Sequence, residues 1–139
     1  MNRSAKYATA IVVAHLLVNL VHGLAHRELH IGLAPLDSIF VIVVVLIFPL
    51  IAMGLVWRAG KPLGLMLLSL SMFGSLLFGL YHHFLAPGPD HVHTQPPISG
   101  GITFVLTSYL LLITEAIGTY VGIHFTWIAK ESSIKAVKA

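Results

Sequence analysis

The chain has 139 residues, of which 57% are hydrophobic and only 9% are charged, with a formal net charge of +3. Soluble domains carry about 25% charged residues, so this composition argues against a soluble globular domain. The small positive charge argues against a nucleic-acid partner, because such proteins present a strongly basic face. The chain contains no cysteine, which rules out disulfides and thiolate metal ligands and leaves His, Asp and Glu for that role.

Four apolar runs are long enough to cross a bilayer and predict an all-α, integral membrane four-helix bundle in a single domain. The predicted spans cover approximately residues 7–29, 39–57, 63–85 and 102–128. Short connections favour up-down-up-down topology, and a longer outer connection at 86–101 is rich in His and Pro. The first run resembles a signal peptide, but His15, Asn19 and His22 interrupt it, so we expect it to be retained as a helix.

Basic residues predict the orientation of the bundle. Seven of the eight fall on one side of the predicted spans, and only Arg27 falls on the other. Because basic residues are enriched on the cytoplasmic side, both termini are expected to be cytoplasmic, in the cytoplasmic (inner) membrane. The lipid bilayer is then the first partner of the chain, and seven of its nine histidines collect at the outer end.

The first predicted helix carries a polar stripe. At 100° per residue its members fall within about 80° of one another, and they are His15, Asn19, His22, His26 and His30. Lipid cannot satisfy such a stripe, so it must face the bundle interior or an aqueous cleft. His22 and His26 stand one turn apart, a spacing that lets two imidazoles bind one metal ion.

The second predicted helix is featureless from Phe40 to Trp57, with no charged or hydroxyl side chain. Pro49 is expected to kink it, because proline has no N–H to bond the carbonyl of Val45. We expect this helix to face lipid or a partner subunit and to take no part in the chemistry.

The third predicted helix offers a face of small residues on which a neighbouring helix can pack closely, formed by Gly64, Ser71, Ser75 and Gly79. His82 stands at the outer end of this face, at a depth similar to that of His26. His83 points about 100° away and is expected to leave the cluster.

The outer connection could close a site over the helix ends. It contains Asp90, His91 and His93, and an extended backbone would place the two histidines on one side. Asp90 or His91 could therefore act as a further ligand, with solvation of His91 and His93 as the alternative.

The fourth predicted helix carries Glu115, the one acidic residue deep in a predicted span. Measured from the outer helix ends, Glu115 and His15 both lie about 20–22 Å deep. They could pair across the bundle, which would avoid a lone buried charge. His124 lies near the cytoplasmic end and is expected to be interfacial.

The leading hypothesis is a metal site near the outer face, built from His22, His26 and His82 and closed by Asp90 or His91. Nitrogen and oxygen ligands suit zinc, copper(II) or iron. One alternative is a b-type haem electron-transfer subunit, with the haem held between His22 or His26 and His82. A second is an accessory subunit without chemistry, in a homo-oligomer or larger membrane complex. A third is a proton or ion pathway down His15 and Asn19 to Glu115. The sequence leaves open whether the site catalyses, transports or only binds.

Overall fold

The structure is a computed structural model that describes residues 3–58 and 61–138, without the side chains of residues 132–134 and 136–138. Within these residues it is helical and contains no strand, so the predicted all-α class is confirmed. The described part forms four long helices: α1 (Arg3–Glu28), α2 (Pro35–Trp57), α3 (Lys61–Leu85) and α4 (Ser99–Lys138). Each contains a segment long and apolar enough to cross a membrane.

Helix α4 packs against both α1 and α3, and α2 packs mainly against α3. The larger apolar core lies toward the N-terminal end of α1, where small side chains let the helices approach closely, and includes Ala5, Ala8, Val12, Val56, Leu65, Leu68 and Met72. Outward faces are also apolar: Leu20 is 62% exposed and Leu70 is 65% exposed.

Two helices depart from regular α geometry. Val41–Ile47 of α2 and Tyr81–Leu85 of α3 are π-helical. Because π turns close i→i+5 hydrogen bonds, they hold more residues per turn than an α-helix, and each residue rotates by less than the usual 100° or so. The side chains in and after these turns therefore face directions that regular helical spacing does not predict.

Helix α1 ends at Glu28 in a left-handed turn. His30 adopts φ 54°, and the amide of Ile31 donates to the carbonyl of His26 at 3.0 Å, as at many helix C-termini. His30 therefore leaves the polar stripe in which the sequence placed it. The turn also brings the carbonyl of Ile31 back beside the side chain of His26.

The outer connection packs down onto the start of α4. Its short 3₁₀ turn, Val92–Thr94, buries Val92 against Phe104. A Cβ on Gly101 would overlap the carbonyl oxygen of Pro96, so only glycine permits this approach. The side-chain amide of Gln95 donates to the carbonyl of Pro89 at 2.7 Å and to that of His91 at 2.9 Å. These contacts fix Asp90 over the helix ends.

Candidate metal centre

Three histidines meet at one end of the bundle. Among the described residues, His22 and His26 of α1 and His83 of α3 each offer a ring nitrogen, and these three atoms lie within 4.8 Å of one another. The Nε2 atoms of His22 and His26 are 3.2 Å apart. His22 and His83 are almost completely buried, and His26 is partly buried.

The second ring nitrogen of each histidine faces an acceptor that assigns its tautomer. Nδ1 of His26 donates to the carbonyl of Ile31 at 3.3 Å, and Nδ1 of His83 donates to the carbonyl of Asp90 at 3.1 Å. A carbonyl can only accept, so both Nδ1 atoms carry the hydrogen.

The same reasoning applies to His22. Its Nδ1 lies 2.8 Å from Oγ1 of Thr107. The Thr107 hydroxyl already donates to the carbonyl of Thr103 at 2.7 Å, so its oxygen accepts from His22. In the tautomer with hydrogen on each Nδ1, every neutral imidazole keeps a lone pair on Nε2, which is a form that can bind a metal ion.

Asp90 adds a carboxylate to these lone pairs. Its Oδ1 lies 3.3 Å from Nε2 of His26 and 3.8 Å from Nδ1 of His83. This buried oxygen accepts no hydrogen bond from the described residues. Nε2 of His26 thus lies close to two atoms that can bind a metal ion, Nε2 of His22 at 3.2 Å and Oδ1 of Asp90 at 3.3 Å.

A metal ion between these atoms could bind all of them at once. Zinc binds histidine nitrogen at about 2.0–2.1 Å in tetrahedral geometry, which places neighbouring ligand atoms about 3.3 Å apart. The distances of 3.2 and 3.3 Å from Nε2 of His26 to Nε2 of His22 and to Oδ1 of Asp90 match this ligand-to-ligand distance. The three histidine ligand atoms lie within 4.8 Å of one another, which allows separations larger than the tetrahedral value. The ligands would therefore move closer together when an ion binds.

Phe104 forms the wall behind the triad. Its ring centroid lies 4.7 Å from that of His22, 5.0 Å from that of His26 and 5.3 Å from that of His83. Phe104 is fully buried and therefore limits the rotation of all three imidazoles. Sequence reasoning missed this role, because one phenylalanine in an apolar helix looks like any core residue.

The structure brings His83, and not His82, to the cluster. Nε2 of His82 lies 3.8 Å from Oδ1 of Asp37 at the start of α2, and its ring packs on Phe78. The π turn explains the exchange. With less rotation per residue after Leu80, His83 comes into line with Gly79, the position at which regular spacing placed His82.

His91 also lies outside the cluster. Its Nε2 donates to the carbonyl of Phe84 at 3.2 Å, and its Nδ1 accepts from the amide of His93 at 3.2 Å. Both ring nitrogens are used in holding the connection together, so Asp90 is the residue of this segment that reaches the triad. His124 lies at the opposite end of α4, with its ring stacked on Tyr120.

A second polar cluster lies deeper in the bundle. Nδ1 of His15 is 4.0 Å from Oε1 of Glu115, and both side chains are buried. Nε2 of His15 donates to the carbonyl of Val45 at 3.1 Å. In a regular α-helix this carbonyl would lack an amide partner, because the residue four positions later is Pro49. Helix α2, which was expected to take no part, therefore fixes the orientation of His15.

A cavity of about 80 Å³ extends from the histidine triad to Glu115 of the second cluster. Its walls include His22, His26, His83, Asp90, Asn19 and Glu115. Pockets for drug-sized ligands measure about 300–1,000 Å³, so a haem does not fit between these histidines as they stand. An ion with a few water molecules does.

Comparison with known protein families, curated proteins and solved structures finds no match to this chain. Any functional inference therefore rests on the geometry of the two clusters.

Proposed function

We propose that this protein is an integral membrane protein that binds a divalent transition-metal ion through His22, His26, His83 and Asp90. The observation that carries the proposal is the convergence of one ring nitrogen from each of His22, His26 and His83 within 4.8 Å of one another, with the Nε2 atoms of His22 and His26 only 3.2 Å apart. Hydrogen bonds donated by the three Nδ1 atoms would hold the imidazoles in the tautomer that binds metal. A triad without that support would be free to rotate or to bond internally.

The membrane assignment rests on the outer surface of the bundle. Each of α1 to α4 has a span of sufficient length and hydropathy, and the large apolar side chains on their outward faces exceed the apolar patches normal for soluble monomers. We infer an up-down-up-down topology with both termini in the cytoplasm, because seven of eight basic residues lie on that side. The metal centre then lies at the extracytoplasmic end of the bundle.

Three imidazoles and one carboxylate favour zinc, with copper(II) and iron as alternatives. Such a set can occupy all four positions of a tetrahedral ion, which is the arrangement of a binding site closed to substrate. Asp90 lies on the outer connection, so its release would open the fourth position. The arrangement therefore supports capture and handling of a metal ion at the outer face.

Metal stoichiometry in neighbouring histidine variants tests the proposal. Protein purified in detergent is stripped with a chelator, dialysed against zinc and measured by elemental analysis. His83→Ala should lower the bound zinc by one ion per chain, whereas His82→Ala should leave it unchanged. The two residues are adjacent, so the pair controls for general effects on α3. Equal zinc content in the wild type and His83→Ala would refute the proposal.

A further inference from the structure

Glu115 lies in the interior of the bundle with an oxygen that has no partner. The residue is 2% exposed, and its Oε2 takes part in no hydrogen bond with any described residue. An ionised carboxylate without a partner in such surroundings is strongly unfavourable. A cation or a proton must therefore accompany it.

The nearest polar group presents a lone pair to the same carboxylate. Because Nε2 of His15 donates to the carbonyl of Val45, Nδ1 of the neutral ring is left as an acceptor. It lies 4.0 Å from Oε1 of Glu115. An ion about 2.0–2.2 Å from each atom would bridge this distance.

Asn19 lies against the same ring. Its Nδ2 is 3.3 Å from Nδ1 and 3.1 Å from Nε2 of His15, and it donates to the main-chain carbonyl of His15 at 3.0 Å. An ion bound at Nδ1 would replace the contact of Asn19 with that nitrogen. Asn19 and Ser75 line the cavity and offer neutral oxygen atoms as further ligands.

Gly79 leaves open the passage between the two clusters. A Cβ there would lie 3.7 Å from Oε2 of Glu115 and 3.9 Å from Cδ2 of His83. The space beside Gly79 therefore borders both Glu115 and His83, a ligand of the proposed metal centre. His15 stands two turns from His22 on α1, a separation of about 10 Å along the helix.

From this geometry we propose a second, deeper binding position for the same class of divalent metal ion, formed by Glu115 and His15 and reached through the cavity from the outer centre. The inference rests on the proposed metal centre, because the cavity reaches Glu115 from that centre. Two positions at successive depths would let an ion captured outside move toward the middle of the bundle.

Zinc stoichiometry in single and double variants tests the second position. The wild type should bind two ions per chain, His83→Ala and Glu115→Gln one each, and the double variant none. Glu131→Gln is the matched control, because that exposed glutamate of α4 bonds only Trp127 among the interactions described, and it should bind two. A wild type with one ion, unchanged by Glu115→Gln but lost in His83→Ala, would overturn the inference and leave the outer centre standing. A wild type with no ion would overturn both.

A glycine substitution gives a test that keeps every ligand. Gly79→Ala places a methyl group at ordinary contact distances, so the fold should be preserved. The methyl would occupy cavity space beside Oε2 of Glu115, so the second zinc ion should bind about tenfold more weakly, with the first unchanged. Equal affinity for the second ion in Gly79→Ala and the wild type would show that the cavity does not hold it.

Discussion

Thr107 offers a sharp test of whether the imidazoles are held in the metal-binding tautomer. Thr107→Val keeps the shape of the side chain but removes the oxygen that accepts from Nδ1 of His22 at 2.8 Å. Without metal, the hydrogen of His22 can move to Nε2 and donate to His26, 3.2 Å away. With metal bound, Nε2 must keep its lone pair, and Nδ1–H is left without a partner.

The size of the effect follows from the burial of this hydrogen bond. His22 and Thr107 are each 6% exposed, so the unpaired N–H costs about 1–3 kcal/mol in the metal-bound state. At about 1.4 kcal/mol per factor of ten, the zinc affinity should fall about 5- to 150-fold. The metal-free protein can relax by tautomer exchange, so its thermal stability should change little.

Competition with a chromophoric chelator measures the zinc affinity of the detergent-solubilised protein. Thr114→Val is the matched control, because that hydroxyl lies on the same helix and donates to the carbonyl of Leu111 at 3.0 Å, away from the triad. If Thr107→Val and Thr114→Val bind zinc equally well, the hydrogen bond to Thr107 does not prepare His22 for metal.

Three further substitutions probe the elements around the centre. Asp90→Asn keeps the carbonyl that accepts from His83 but removes the charged ligand, so the zinc affinity should fall about 10- to 100-fold in the chelator assay, with the fold retained. Gly101→Ala forces the outer connection away from Pro96 and should weaken zinc binding by about tenfold or more, together with a lower melting temperature. His30→Gly relieves a left-handed residue at φ 54° and should raise the unfolding free energy by about 1 kcal/mol, with zinc content unchanged. An unaltered zinc affinity would count against Asp90 as a ligand in Asp90→Asn, and against the packing of the outer connection on Gly101 in Gly101→Ala. A lower unfolding free energy in His30→Gly would count against backbone strain at residue 30.

Regular helical spacing was sufficient to predict much of the bundle. The four apolar runs correspond to the four spanning-length helices, and the stripe on α1 placed His22 and His26 on one face, where the structure also has them. These features depend on local periodicity alone. The match in depth between His15 and Glu115 likewise needed only the rise per residue.

Regular helical spacing did not predict the rest of the two clusters, because α3 departs from regular α-helical geometry and some contacts join different helices. The π turn at Tyr81–Leu85 exchanges His83 for His82, and an apolar sequence gives no local signal for such a turn. The hydrogen bond between His15 and the carbonyl of Val45 joins two helices. The sequence of α2 alone could not predict it, because the donor lies on α1.

X-ray absorption at the zinc edge tests the central claim most directly. The Glu115→Gln variant, loaded with one equivalent of zinc, isolates the outer centre from the deeper position. The geometry predicts four nitrogen or oxygen ligands at about 2.0–2.1 Å, with outer-shell scattering from three imidazoles. A shell of oxygen ligands alone, without imidazole scattering, would contradict a metal centre at His22, His26 and His83.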